Sequence, residues 1–169
     1  FVPLFFAMKG ETPRRAFMLS FVAAFVYYGL SLWWLYTAMN TYGHLNPFIS
    51  FCVLVLALVI VATHISLAPL FSSWVENKCG IKSFWTLPLF WVVFEFSRNY
   101  LPCNGFPWGN ITNTQYAYLP VIQIVDVVGI YGLVYLMILV NVWIADQIKF
   151  RHKFLAGKTI MVAVLLVTT

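Results

Sequence analysis

Charge is what this chain has least of: Asp, Glu, Lys and Arg make up 9% of its 169 residues, where soluble globular domains carry roughly 25%. No charged residue occurs between Ala16 and Val75. That scarcity excludes an ordinary soluble domain. Basic residues are too scattered to form a basic helix or a basic-aromatic patch, so nucleic acid is excluded as a partner. Cys52, Cys79 and Cys103 form an odd trio with no CxxC or Cys/His spacing, so neither a disulfide framework, a metal site nor a bound cofactor is indicated. No internal repeat, low-complexity tract or second domain is visible. A cleavable signal sequence is also missing, because no charged stretch, short apolar core and small-residue cleavage site follow one another.

What is present is apolar: 62% hydrophobic and 19% aromatic residues, with a mean hydropathy of +0.87. The composition predicts an all-α integral membrane protein, because an open backbone in lipid leaves N–H and C=O groups unsatisfied. The charge-free run is long enough for two spans, and "NTYGHLNP" (40–47) clusters turn-forming residues between them. The expected spans are 16–39, 48–74, 83–101 and 119–145, with a partial span at 159–169. "FVPLFFAM" reads as the tail of a further apolar segment, and the chain stops inside "TIMVAVLLVTT", about half of the ~20 residues a spanning helix needs. A bundle of about four complete helices from a longer protein is expected, forming one transmembrane domain over 1–169.

Lys and Arg decide the orientation. They lie before the first span (Lys9, Arg14, Arg15), after the second (Lys78, Lys82) and after the fourth (Lys149, Arg151, Lys153, Lys158). The loops 40–47 and 102–118 carry no charge. The basic loops are therefore expected in the cytoplasm and the uncharged loops outside. Aromatic clusters such as Trp33, Trp34 and Tyr36 suit the membrane interface.

Three charges fall within the expected spans: Glu95, Arg98 and Asp126. Each costs roughly 2.5–3.5 kcal/mol at a helix centre unless it is paired or wetted. Glu95 and Arg98, spaced i, i+3, share a helix face and can pair. Helix rise puts Glu95 and Arg98 within roughly 9 Å of the outer end of their span, and Asp126 about 10 Å below the outer end of its own. All three are thus expected beneath the uncharged loop. One reading is a structural ion pair plus a buried carboxylate; the other is that Arg98 faces a lipid phosphate and Glu95 orients it. Gln115, Gln123 and Asn141 can add hydrogen bonds, Asn141 as glue between helices. His44 and His64 have no ligand-spaced partners and read as structural histidines. Cys103 lacks a nearby base to make it a nucleophile. Gly129 and Gly132 in "GIYG" read as a close helix approach.

"FEFSRNYLPCNGFPWGNITNTQY" followed by "PVIQIVDVVGIYGLVYLMILVN" resembles the membrane region of the apolipoprotein N-acyltransferase family. The resemblance is carried by Glu95 and Arg98 (E-x-x-R), by Gly105, Phe106, Pro107 and Trp108 (G-F-P-W), by Gln115, and by Gln123, Asp126, Gly129, Tyr131, Gly132 and Asn141. The segment Tyr27 to Tyr36 is a looser match to an early tryptophan-bearing helix. Gly109, Asn110 and "NTQY" stand where many members carry a leucine-like residue and a "GYSQ" box. The resemblance implies an enzyme of lipoprotein biosynthesis in the bacterial inner membrane. It would take an acyl chain from a phospholipid donor and place it on the N-terminal cysteine of a diacylated lipoprotein acceptor, at the periplasmic face. Its catalytic Glu-Lys-Cys triad belongs to a nitrilase-like domain that this sequence does not contain. No catalytic residue is therefore expected here, and the fragment alone is expected to be inactive. The nine positions expected to meet substrate are Glu95, Arg98, Gly105, Phe106, Pro107, Trp108, Gln115, Gln123 and Asp126. Two alternatives stay open: a non-enzymatic membrane module partnering a polyprenyl-phosphate mannose synthase or another domain, and a transporter.

Overall fold

A computed structural model describes residues 1–101 and 105–150. Among these residues the chain is all helical, as its composition requires. A short helix α1 (Val2–Met8) leads to α2 (Pro13–Ser31), which starts at a Thr12 cap with Pro13 at its first position. Proline suits that position because its missing N–H would be unpaired there anyway. At Leu32 the backbone leaves helical geometry, and a 52° bend follows into α3 (Trp33–Thr37) and a π turn at Ala38–Tyr42. The expected 16–39 span is therefore a bent pair.

Helix α4 (Pro47–Cys79) runs 33 residues from an Asn46 cap to Gly80, whose left-handed conformation (φ 70) ends it. The start is sharp because the Asn46 side chain accepts from the Phe48 N–H at 2.9 Å. Helix α5 (Ser83–Ser97) has 15 residues, about 22 Å of rise. Residues 98–101 follow in turns rather than as the continuing helix expected to 101.

The expected 119–145 span is broken twice. A 3-10 turn (Ile111–Gln115) and α6 (Leu119–Gln123) precede α7 (Val125–Phe150), and inside α7 Gly129 departs from helical geometry at φ 72, ψ 169. Only glycine occupies that region readily. Of the four expected spans, α4 and α7 are each long and apolar enough to cross a membrane, α2 with α3 passes only as a bent pair, and α5 is shorter. The expected partial span at 159–169 lies outside the described residues.

The helices close into a ring. Helix α2 packs on α4, α4 on α5, α5 on α7, and α1 fills the gap between α7 and α2. The Lys9 ammonium pairs with the Asp146 carboxylate, which places the end of α1 and the end of α7 on the same face. Leu54, Leu58, Ile65, Trp91, Val134 and Ile138 form the shared core. Much of the outside is apolar as well, including Leu30, Leu56, Val93 and Val127, as a helix face turned to lipid requires.

Candidate functional site

The last turn of α5 carries the two charges that the sequence singles out. Three positions apart, Glu95 and Arg98 lie on one face, and the Arg98 guanidinium donates to the Glu95 carboxylate. Both are sealed within the protein, 3% and 1% exposed. The guanidinium's other arm donates to the hydroxyl of Tyr28 on α2. This partner was not legible in the sequence, where Tyr28 is one of two adjacent tyrosines in a tyrosine- and tryptophan-rich helix.

The loop is built on the same residues. The Phe106 N–H donates to the Arg98 carbonyl at 2.8 Å, folding the chain back over the end of α5. Gly105 sits at φ +97, where an added Cβ would lie 1.9 Å from the Asn99 carbonyl oxygen. Gly109, at φ +76, rests on the Tyr28 ring, and a Cβ there would meet Cε1 at 2.9 Å. The G-F-P-W segment is thus fixed at its two flanking glycines, against the Asn99 carbonyl and the Tyr28 ring. Pro107 and Trp108 are exposed and Phe106 is half-buried. The rings of Phe106 and Trp108 lie 5.3 Å apart, and Trp34 stands 6.1 Å from Trp108, joining the loop to α3. Asn110 then starts the 3-10 turn, accepting from the Thr112 N–H at 2.9 Å and its hydroxyl at 2.6 Å.

Beneath this loop lies a cavity of about 540 Å³ walled by α1, α2, α4 and α5, with Ala23, Ala24, Tyr27, Tyr28, Trp91 and Glu95 among its lining. Its size falls within the roughly 300–1,000 Å³ of small-molecule sites. Glu95 faces it, whereas Arg98 stands behind Glu95 and Tyr28. The reading in which Arg98 presents its guanidinium to a lipid phosphate does not fit, because both arms are already bound within the protein.

Asp126 does not join them. The Asn99 side chain donates to the Tyr131 hydroxyl, which sets Tyr131 level with the loop end of α5. Asp126 is exposed in the first turn of α7, separated from Tyr131 by the kink at Gly129. There its carboxylate meets the positive end of the helix dipole. The sequence-based depth assumed a straight helix from Leu119, and the break after Gln123 interrupts it. Gln123 is exposed beside it, and Gln115 donates to the Thr114 hydroxyl at 3.0 Å. Asn141 donates to the Met137 carbonyl of its own helix at 2.8 Å instead of bridging helices. Gly129 makes a kink rather than a close approach, since a Cβ there would meet nothing within 4 Å, and at Gly132 it would strike Val128 at 2.6 Å. His64 is satisfied, its Nε2 lying 3.1 Å from the Phe94 carbonyl oxygen and 3.0 Å from the Ser97 hydroxyl. Among the described residues no group of His, Cys, Asp and Glu could hold a metal ion. Cys52 and Cys79 are exposed thiols, and Cys103 lies outside the described residues.

The family model described as the apolipoprotein N-acyltransferase N-terminal domain matches residues 1–143. The chain belongs to this family. Among apolipoprotein N-acyltransferases, that of Geobacter metallireducens is 37% identical over 142 residues, covering 84% of this chain and 27% of the relative. That of Nitrosomonas europaea is 28% identical over 155 residues, 88% of this chain and 30% of the relative. That of Thermotoga maritima is 26% identical over 170 residues, 98% of this chain and 33% of the relative. The chain thus spans about a third or less of these apolipoprotein N-acyltransferases. No solved structure matches it.

Proposed function

We propose that this chain is the membrane part of an enzyme that moves an acyl chain from a phospholipid to the N-terminal cysteine of a diacylated lipoprotein, at the periplasmic face of the bacterial inner membrane. The observation that carries the reading is the apolar cavity directly under the uncharged aromatic loop. Moving an acyl chain from bilayer to cavity yields no hydrophobic gain, since lipid tails are as apolar as the walls. Selectivity then has to come from shape and from the polar end of the ligand. Glu95 supplies the one charged side chain on the wall, while Arg98 and Tyr28 act as positioning residues that hold it in place. Gly105, Phe106, Pro107 and Trp108 form the lip at headgroup level, where aromatic side chains are stable. Gln115, Gln123 and Asp126 stand on the outer rim and are assigned to the headgroup or the lipopeptide. The covalent chemistry belongs to a Glu-Lys-Cys set outside these residues.

The test is photo-crosslinking of the full-length protein in native membranes with a phospholipid carrying a diazirine in its acyl chain. Labelled peptides are expected from the α2 segment around Ala23 and Ala24 and from α5 around Trp91. Labelling confined to the outer helix faces, with none in these two segments, overturns the proposal.

A further inference from the structure

The opposite end of the ring holds a second cavity, of about 340 Å³, where α1, α4, α5 and α7 converge. Glu76 on its wall comes twelve residues after His64, which is level with the last turn of α5. The second cavity is therefore about 18 Å across the bundle from the Glu95 site. It opens on the face that carries the basic residues. Its mouth is lined by two ammonium groups, Lys9 and Lys82, and two carboxylates, Glu76 and Asp146, while Phe5 and Leu87 line its apolar interior.

Lys9 and Asp146 satisfy each other, and the Ser83 hydroxyl donates to the Glu76 carboxylate. Lys82 has no ion-pair partner among the described residues. It stands at the start of α5, whose first turn has no side-chain cap. One free cation beside open backbone donors suits a phosphodiester, and a carboxylate held by a single hydroxyl accepts readily from an ammonium. A simple anion would gain Lys82 but face Glu76 and Asp146; a zwitterion meets both signs. Apolar walls above the charged mouth suit acyl chains.

We propose that this cavity is a second lipid site, on the basic face, for a phospholipid whose headgroup joins a phosphodiester to a primary ammonium. The phosphodiester sits on Lys82 and the first turn of α5, the ammonium on Glu76, and the chains against Phe5 and Leu87. The site stands independently of the acyl-transfer reading, because Glu76, Lys82 and Leu87, the residues substituted in its test, line this cavity and not the one beneath the loop.

The test uses the purified full-length protein, delipidated in detergent and offered phosphatidylethanolamine, phosphatidylcholine or phosphatidylglycerol of matched chains, with retained lipid counted by native mass spectrometry. Wild type is expected to retain phosphatidylethanolamine over the other two. Lys82→Gln and Glu76→Gln should each lower that retention about fivefold, the scale of one partly exposed charge pair, while Lys82→Arg keeps it. Equal retention by both Gln variants and wild type overturns the site, and equal retention of phosphatidylcholine overturns the primary-ammonium assignment. Displacement of the lipid by soluble phosphoethanolamine at equal concentration shows a free phosphate ester to be the ligand and overturns the lipid. Should a Gln variant unfold, Leu87→Trp, which fills the apolar end and leaves the charges alone, must also lose the lipid, and unchanged retention there counts against the proposal.

Discussion

The Arg98 guanidinium and the Tyr28 hydroxyl, 70 positions apart in the chain, share a buried hydrogen bond that ties α5 to α2. Both helices pack on α4, so this bond closes the third side of a triangle. Since Gly109 rests on the same tyrosine ring and Phe106 on the Arg98 carbonyl, ion pair, early helix and loop form one connected unit.

Removing Arg98 strands the Glu95 carboxylate in a sealed site. Arg98→Ala is expected to destabilise the full-length protein by about 3–5 kcal/mol, the scale for breaking a buried pair from one side. Tyr28→Phe, which strands one guanidinium arm, should cost about 1–3 kcal/mol. Thermal unfolding in detergent ranks the two, and a Tyr28→Phe penalty as large as that of Arg98→Ala would contradict the arrangement.

The two glycines of the turn at Gly105 and the kink at Gly129 should respond differently to alanine. At Gly105 both φ and the Asn99 carbonyl forbid a Cβ, so Gly105→Ala is expected to cost about 2–4 kcal/mol and to displace the loop. Gly129 has open space around it, so Gly129→Ala can relieve its backbone by straightening α7. A changed distance between spin labels at 123 and 138, with stability nearly unchanged, is the expected result.

Ala24 is a small residue on the cavity wall. Ala24→Phe should fill the space, leave the protein folded, and lower acyl transfer by the full-length enzyme at least about tenfold, a loss of about 1.4 kcal/mol in transition-state binding. Unchanged transfer with a filled cavity would remove the cavity from the reaction.

Orientation can be read from thiols. Cys79, exposed on the basic face, should react with an impermeant maleimide only after cells are opened. Both are read in a Cys52→Ser, Cys103→Ser background, in which a cysteine replacing the exposed Asn113 of the loop, with Cys79→Ser added, should react in intact cells. The reverse pattern would invert the topology.

Legibility followed the range of the interaction. The i, i+3 spacing of Glu95 and Arg98 announces their pairing, and "NTYGHLNP" announces the turn before α4, because both depend on neighbours in sequence. Tyr28 could not be picked out from Tyr27, since its partner is 70 positions away. Gly129 was ambiguous in kind: a glycine in an apolar run serves a helix contact or a kink equally well, and only the backbone angles decide. The depth of Asp126, counted from Leu119, assumed an unbroken helix, and the end of α6 at Gln123 interrupts it.

Helix α5, the one that carries Glu95, Arg98 and the loop, is short. Its 15 residues rise about 22 Å, some 8 Å less than a hydrocarbon core of about 30 Å. A bilayer meets such a mismatch by thinning beside the short element. Lipid next to α5 would then stand lower than its neighbours, its glycerol backbone brought down toward the level of Trp108 and Glu95. The shortness of one helix would bring the headgroup layer to the loop without any movement of the protein.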